Sequence, residues 1–349
     1  MKSRAIVLTD GHLDNMNAKT AHGLIRGTER FEIVGVIDPP QAEKDAGEVL
    51  DGKKRNIPIF KDVKSALQTL SKVDTCIVGV ATVGGMFPGD MLLMVKECIE
   101  NGLHIVNGLH DFLNDRPEML ALAQKNQVTL TDVRRPKAKK DLHFWTGEIF
   151  KVKAPIIAVL GMDCAMGKRT TARLIRQALE NEQIRAQMIY TGQTGWMQGG
   201  QYGFIFDSTL NDFISGELEH AIVSCYRETN AEIILLEGQS ALRNPSGPCG
   251  AEFLISGNAK YTVLVHAPKR QYYDNMPEWG EIPPIESEME LVKFYGSKVI
   301  AIVLNTQDCT KDEAFAFQKE YQARLGIPVL LPIEEGVEPI IPFIKELLK

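Results

Sequence analysis

The chain has 349 residues, 44% of them hydrophobic and 24% charged, with a net charge of −6, the balance of an ordinary globular protein long enough for two domains. Net negative charge argues against a general nucleic-acid binder and against a protein held to an anionic membrane surface, and no apolar run approaches the roughly 18 residues of a membrane span. Six cysteines at 76, 98, 164, 225, 249 and 309 form no CxxC pair, so buried free thiols are expected.

The short apolar run after Met-Lys-Ser-Arg is too brief for a signal peptide, and the chain reads as cytoplasmic. Small-molecule chemistry is the favoured class, and homo-oligomerisation is left open. Strand signals at 4–9, 31–38, 73–80, 104–107 and 128–131 alternate with helical stretches at 14–26, 62–70 and 89–101. Such alternation predicts a parallel sheet with crossover helices. The run Ile33-Val-Gly-Val-Ile-Asp38 and the later Asp74-Thr-Cys-Ile-Val-Gly-Val-Ala resemble Rossmann-like domains that bind NAD(P). The first turn, Thr9-Asp10-Gly11-His12-Leu13-Asp14, lacks G-x-G-x-x-G, so a Rossmann-like scaffold without a dinucleotide is expected.

Residues 134–140 carry five positive charges in seven positions and are followed through 153 by few helical or strand signals. They read as an interdomain connection, dividing the chain into a domain at 1–150 and a second at 151–349. One reading is a solvated linker. The other is a basic arm in which Arg134 and Arg135 reach an anion.

The segment Ala154-Pro-Ile-Ile-Ala-Val-Leu-Gly161 is a buried strand, and Met162-Asp163-Cys164-Ala165-Met166-Gly167-Lys168-Arg169-Thr170-Thr171 runs from it into a helix with apolar residues at 172, 175, 178 and 179. This is a phosphate-binding loop: backbone N–H groups at the turn surround an anion, and Lys168 adds a positive charge. It has five residues between its glycines where the common form has four, and this longer pattern, Gly-x-Asp-x-x-x-Gly-Lys, resembles the loop of dethiobiotin synthetase, whose relatives bind ATP on a doubly wound parallel sheet. The residue after the lysine, ordinarily a Ser or Thr that holds Mg²⁺, is Arg169. Thr170 or Thr171 is the metal-binding substitute if ATP is the ligand, but a helix turns about 100° per residue and would aim the hydroxyl elsewhere. Phosphate binding is therefore better supported than phosphoryl transfer, and the diphosphate of coenzyme A fits as well as that of ATP. Cys164, beside a helix start expected to lower its pKa, is either an acyl carrier or a small residue that fits the loop.

Beyond the loop, strands are expected at 186–191, 232–237, 261–266, 298–305 and 328–331, with a helix from 218 to about 229, giving a second doubly wound sheet. Its ligands belong beyond the carboxyl ends of its strands. Glu237 ends a strand and precedes Gly238, the position of a Walker B carboxylate, and is the first candidate for a catalytic base or a metal ligand. Gln193, Thr194 and Gln239 are candidates for substrate contact, the first two from a Gly-rich strand-end loop. Asp207 and Asp212 are either site carboxylates or helix caps. Asn305, at another strand end, is a base-reading residue or a turn residue. The loop from Asn244 to Gly250 is a candidate lid, and Arg243 a candidate partner for substrate carboxylates.

Taken together, Asn17-Ala-Lys19-Thr20-Ala21-His22-Gly23, Asp132-Val-Arg134-Arg135-Pro136, the loop Gly161 to Thr171, Thr191-Gly-Gln-Thr-Gly195 and Glu237-Gly-Gln239-Ser240 resemble the DUF1611 family. That resemblance implies an α/β protein of two doubly wound domains, an N-terminal Rossmann-like sheet and a C-terminal P-loop NTPase-like parallel sheet. Members of the family include D-glutamate N-acetyltransferases, which implies acetyl-CoA as cofactor and an acidic amino acid as small-molecule substrate. Asn244-Pro245-Ser246-Gly247 stands where the family's His-Pro loop is expected. The other readings are an ATP- and Mg²⁺-dependent kinase or ligase of dethiobiotin synthetase type, and a non-catalytic nucleotide-binding protein.

Overall fold

A computed structural model describes residues 2–349, and the chain forms two compact units. The first comprises residues up to Pro136 together with Gln193–Gly199. Its strands are β1 (Ser3–Leu8), β2 (Phe31–Ile37), β3 (Ile59–Phe60), β4 (Thr75–Val78), β5 (His104–Asn107) and β6 (Leu130–Asp132). They form a six-stranded sheet in the order β3-β2-β1-β4-β5-β6, every pairing parallel. Its helices are α1 (Lys19–Arg26), α2 (Ala46–Asp51), α3 (Val63–Thr69), α4 (Met91–Glu100) and α5 (Pro117–Lys125). The helix expected from 14 opens later, with a 3-10 turn at Met16–Ala18 that Asn15 caps by accepting from the Asn17 N–H before α1 begins.

In the second unit, the strands are β7 (Ile156–Gly161), β8 (Ala186–Ile189), β9 (Ile233–Glu237), β10 (Tyr261–His266), β11 (Lys298–Leu304) and β12 (Val329–Leu330). They pair in parallel in the order β12-β11-β10-β7-β9-β8. Every residue of β7 and β9 is buried, as expected of central parallel strands covered on both faces. Ile156, Ile157, Val159 and Leu160 thus each remove an apolar side chain from water, at about 1.5–3 kcal/mol apiece. The helices are α6 (Lys168–Asn181), then α7 (Gln193–Met197), which counts with the first unit, and α8 (Asn211–Thr229), α9 (Ala251–Ile255), α10 (Ile285–Phe294), α11 (Lys311–Leu325) and α12 (Ile341–Glu346). α6 buries Thr171, Ala172, Ile175, Ala178 and Leu179, the three-and-four spacing of an amphipathic helix lying on a sheet.

The stretch read as a linker is anchored instead. Two buried acids of α8 hold it: Glu217 accepts from Lys137 at 2.5 Å and from the His143 N–H at 2.9 Å, and Glu219 accepts from the N–H groups of Thr146 and Ile149. The compact units accordingly divide at Pro136 and Lys137 rather than at 150, and 137–150 belongs to the second. Among the described residues no helix is long and apolar enough to cross a membrane, and all six cysteines are free.

Candidate functional site

The order of the second sheet brings the site together. β7 lies between β10 and β9, and Val159 is in register with Glu237, so the loop leaving β7 and the carboxylate ending β9 emerge side by side. The loop reverses through Ala165 at φ 50° and Gly167 at φ 97°, a left-handed conformation that favours glycine, and delivers Lys168 to the first turn of α6. The lysine stem folds back across Gly161. Its ammonium donates to the carbonyl oxygens of Asp163 and Ser240, both at 2.7 Å. A phosphate oxygen carries more negative charge than either carbonyl and competes for the same donor through a stronger, charge-assisted bond.

Asp163 is the loop's anchor. It is fully buried and accepts from Asn244 Nδ2 at 2.8 Å, Arg270 Nη1 at 3.0 Å and the Asp274 N–H at 2.8 Å. Arg270 also donates to the Cys164 carbonyl at 2.8 Å. The Asn244 loop is thus tied to the P-loop through a buried side chain. Asp163, Cys164 and Asp274 are the one group of potential metal ligands clustered among the described residues, but Asp163 is already engaged by these three donors. Asn305 donates to the Met166 carbonyl at 3.1 Å and accepts from the Gln307 N–H at 2.9 Å, so it supports the loop and makes its own turn.

Glu237 is 3% exposed, and burial pushes its carboxyl above the usual range against the pull of Arg169, the Thr191 N–H, Lys168 and Arg173. Its Oε2 accepts from the Thr191 N–H at 3.1 Å, and Arg169 Nη1 stands 3.8 Å from its Oε1. Thr191 donates through its hydroxyl to the Glu237 main-chain carbonyl and accepts from Gln239 Nε2 at 2.9 Å. The residue following the P-loop lysine therefore offers a guanidinium toward the Walker B acid where other P-loops place a metal-binding hydroxyl. Thr170 and Thr171 follow it in the first turn, Thr171 buried with its N–H on the Gly167 carbonyl.

Several expected contacts do not form. Cys164 is not activated: burial raises its thiol pKa, outweighing the opposite effects of Ser240 and Lys168. Arg243 is committed to the buried Glu288, at 2.7 Å from Nε and 2.6 Å from Nη2, and to the Ser287 hydroxyl. Asp212 is exposed in the first turn of α8, where its charge complements the helix dipole. Asp207 is exposed in a 3-10 turn.

Gln193 and Thr194 turn into the first unit, where both approach the Thr20 hydroxyl, Thr194 at 3.1 Å and Gln193 at 3.4 Å. Arg134 is buried and donates to the Gly108 carbonyl, and Arg135 pairs with Asp115 at 2.8 Å while lying over the Phe112 ring. These local partners replace the basic-arm reading. In the first unit's opening turn, the amides of Gly11 and Leu13 and the Thr9 hydroxyl all donate to the buried Asp38 at the end of β2. An acid of the protein itself thus takes donors that a dinucleotide-binding turn directs at a pyrophosphate.

Arg270, Asn244, Thr191 and Ser240 complete the site without having been singled out for these roles. Arg270 has no local signal, since its partner lies 107 positions away. Thr191 was legible only as the last residue of a predicted strand and the first of a motif carrying the family resemblance.

Residues 143–341 match the DUF1611 P-loop domain, a domain of unknown function, and residues 39–136 match the Rossmann-like N-terminal domain of the same family. A D-glutamate N-acetyltransferase from Pseudoalteromonas sp. is 30% identical over 274 residues, covering 76% of this chain and 80% of that protein. Another protein of that name, from Tritonibacter scottomollicae, is 27% identical over 75% of this chain and 78% of its own length. The crystal structure of a DUF1611 family protein from Anabaena variabilis superposes with a TM-score of 0.89 at 27% identity, covering 99% of both chains. On the domain matches across both units, the chain belongs to the DUF1611 family.

Proposed function

We propose that this protein is an acetyl-CoA-dependent N-acetyltransferase acting on an acidic amino acid, with D-glutamate the first candidate. The observation that carries the reading is Arg169, whose guanidinium faces Glu237 at 3.8 Å. A phosphoryl-transfer P-loop needs a divalent ion to neutralise charge developing on the phosphates. Here a fixed cation of the chain stands in that position, which suits a diphosphate that is held and not cleaved. The relatives named D-glutamate N-acetyltransferase support the same chemistry.

The residues fit a diphosphate: Lys168 and the amides of the loop from Gly161 to Thr171 would hold it, with Arg270 and Asn244 keeping the loop in shape through Asp163. Acetyl-CoA supplies a thioester carbonyl as the electrophile. An ammonium is not nucleophilic, so the acceptor must lose a proton first, and Glu237 is the carboxylate assigned to take it in this reading. Burial raises the affinity of Glu237 for a proton and so improves it as a base. The amine nitrogen then forms a bond to the acetyl carbon as the carbon–sulfur bond breaks. The second proton leaving nitrogen balances the thiolate released, and the proton on Glu237 returns to solvent.

Calorimetric titration tests the binding half. Acetyl-CoA is expected to bind equally with Mg²⁺ and with EDTA, whereas strictly Mg²⁺-dependent binding of ATP, with none of acetyl-CoA, would overturn the proposal.

A further inference from the structure

We infer that Gln239 holds the acceptor's amine, its side-chain carbonyl accepting one N–H while Glu237 takes the proton. The inference rests on the acetyl-transfer reading and assigns the amine contact of that same site. Its basis is a run of hydrogen bonds whose directions are fixed. The main-chain carbonyl of Glu237, at the end of β9, accepts from the Thr191 hydroxyl at 2.7 Å. A carbonyl cannot donate and a hydroxyl has one hydrogen, so the Thr191 oxygen is left only as an acceptor. Thr191 is fully buried, and no water competes for that hydrogen. The group facing its hydroxyl oxygen at 2.9 Å is therefore the Gln239 NH2, which turns Oε1 the other way.

Gly192 makes room for this arrangement, since a Cβ there would stand 3.0 Å from Gln239 Nε2. Among the described residues Oε1 has no hydrogen-bond partner, and the half-buried side chain leaves it open to solvent. Its place in the chain lies between the two groups that the reaction uses. Two residues before it, the Glu237 carboxylate accepts from the Thr191 N–H at 3.1 Å, so one threonine joins the acid and the amide. One residue after it, the Ser240 carbonyl accepts from Lys168 at 2.7 Å.

The chemistry calls for such an acceptor. An ammonium that gives one proton to Glu237 keeps two N–H bonds, and its lone pair meets the thioester carbon only if the nitrogen is held in one orientation. Oε1 supplies that hold by accepting from one of them. A neutral amide does so without competing for the proton, whereas a second carboxylate would favour the charged, non-nucleophilic ammonium. The pantetheine arm of coenzyme A also carries N–H groups, so the test must separate the two donors.

Acetyl transfer is measured for wild type, Gln239→Met, Thr191→Val and Thr191→Ser. Binding of D-glutamate and of glutarate, the same dicarboxylate without its amine, is measured by calorimetry in the presence of CoA. Wild type is expected to bind D-glutamate more tightly than glutarate. Loss of a hydrogen bond to a charged group should weaken D-glutamate binding about tenfold in Gln239→Met and raise its KM, with glutarate affinity and the KM for acetyl-CoA unchanged. Thr191→Val, which frees the amide to turn, is expected to show part of the same loss, and Thr191→Ser to recover most of it.

Unchanged D-glutamate binding and KM in Gln239→Met would overturn the inference and leave the acetyl-transfer reading standing. A loss confined to acetyl-CoA would also overturn it, assigning Oε1 to the pantetheine arm. If wild type transfers no acetyl group, yet its preference for D-glutamate over glutarate depends on Gln239, the acetyl-transfer reading fails and the amine contact stands. Absence of that preference in wild type overturns the inference, and circular dichroism melts of the variants separate these outcomes from misfolding.

Discussion

Replacing Arg270 with Met is the most demanding test of how the P-loop is held. Asp163 has no exposure to solvent and accepts from three donors, of which only Arg270 carries a charge. Removing one partner of a buried pair costs about 3–5 kcal/mol, because the remaining charge is neither hydrated nor neutralised. Asn244 and the Asp274 N–H still donate, each worth about 1 kcal/mol, so the expected loss lies near the lower end, roughly 3 kcal/mol. Changing Asp163 to Asn in the same chain removes the stranded charge, and the double variant Asp163→Asn/Arg270→Met should recover at least about half of the deficit, a coupling of roughly 1.5 kcal/mol. Urea denaturation followed by circular dichroism, with a separate transition fitted for each unit, measures this. A loss below about 1 kcal/mol for Arg270→Met, or a double variant that loses the sum of its singles, would refute the role of this pair.

Lys168→Ala should weaken acetyl-CoA binding by roughly 1.5–3 kcal/mol in calorimetry, the range for a hydrogen bond to a charged group, and unchanged affinity would remove the phosphate-loop assignment. Glu237 has a raised pKa and must be ionised to accept a proton, so kcat/KM for the acceptor should rise with pH through an inflection above the ordinary glutamate range. Glu237→Gln should abolish turnover and leave the fold intact, and full activity in that variant would contradict its role as the base. His266, buried at the end of β10 with Nε2 3.0 Å from the Tyr321 hydroxyl, is pushed down to about 4 by burial, with Arg324 adding to the effect. The folded state therefore refuses a proton that the unfolded chain accepts near pH 6.5, and stability should fall as pH drops from about 6.5 to 4, by up to roughly 3 kcal/mol. His266→Phe should flatten that part of the profile, and an equally steep decline in the variant would assign the effect to other groups.

The sheets and the P-loop were legible because their signals are local. Runs of apolar residues mark the central strands, and the order strand, glycine, lysine, helix is contiguous from Ile156 to Leu179. Glu237 was legible because a carboxylate after four apolar residues marks a strand end. The partners of polar side chains were not, since they depend on contacts distant in sequence. Arg243 resembles a substrate ligand until Glu288, 45 positions later, arrives beside it. Gln193 and Thr194 follow a strand of the second unit, yet meet Thr20, more than 170 positions earlier. Asn244 lies in what reads as a lid, but its amide is fully buried on Asp163. Arg169 was conspicuous in sequence as a departure from the P-loop pattern, and its pairing with Glu237 became visible only once β7 and β9 were neighbours.

Release of free thiol from acetyl-CoA in the presence of EDTA separates acetyl transfer without a metal from metal-dependent phosphoryl transfer. Release is expected to depend on an acidic amino acid, D-glutamate before L-glutamate, and not to increase with Mg²⁺. Absence of acceptor-dependent release across a panel of amino acids, together with Mg²⁺-dependent formation of ADP from ATP, would contradict it.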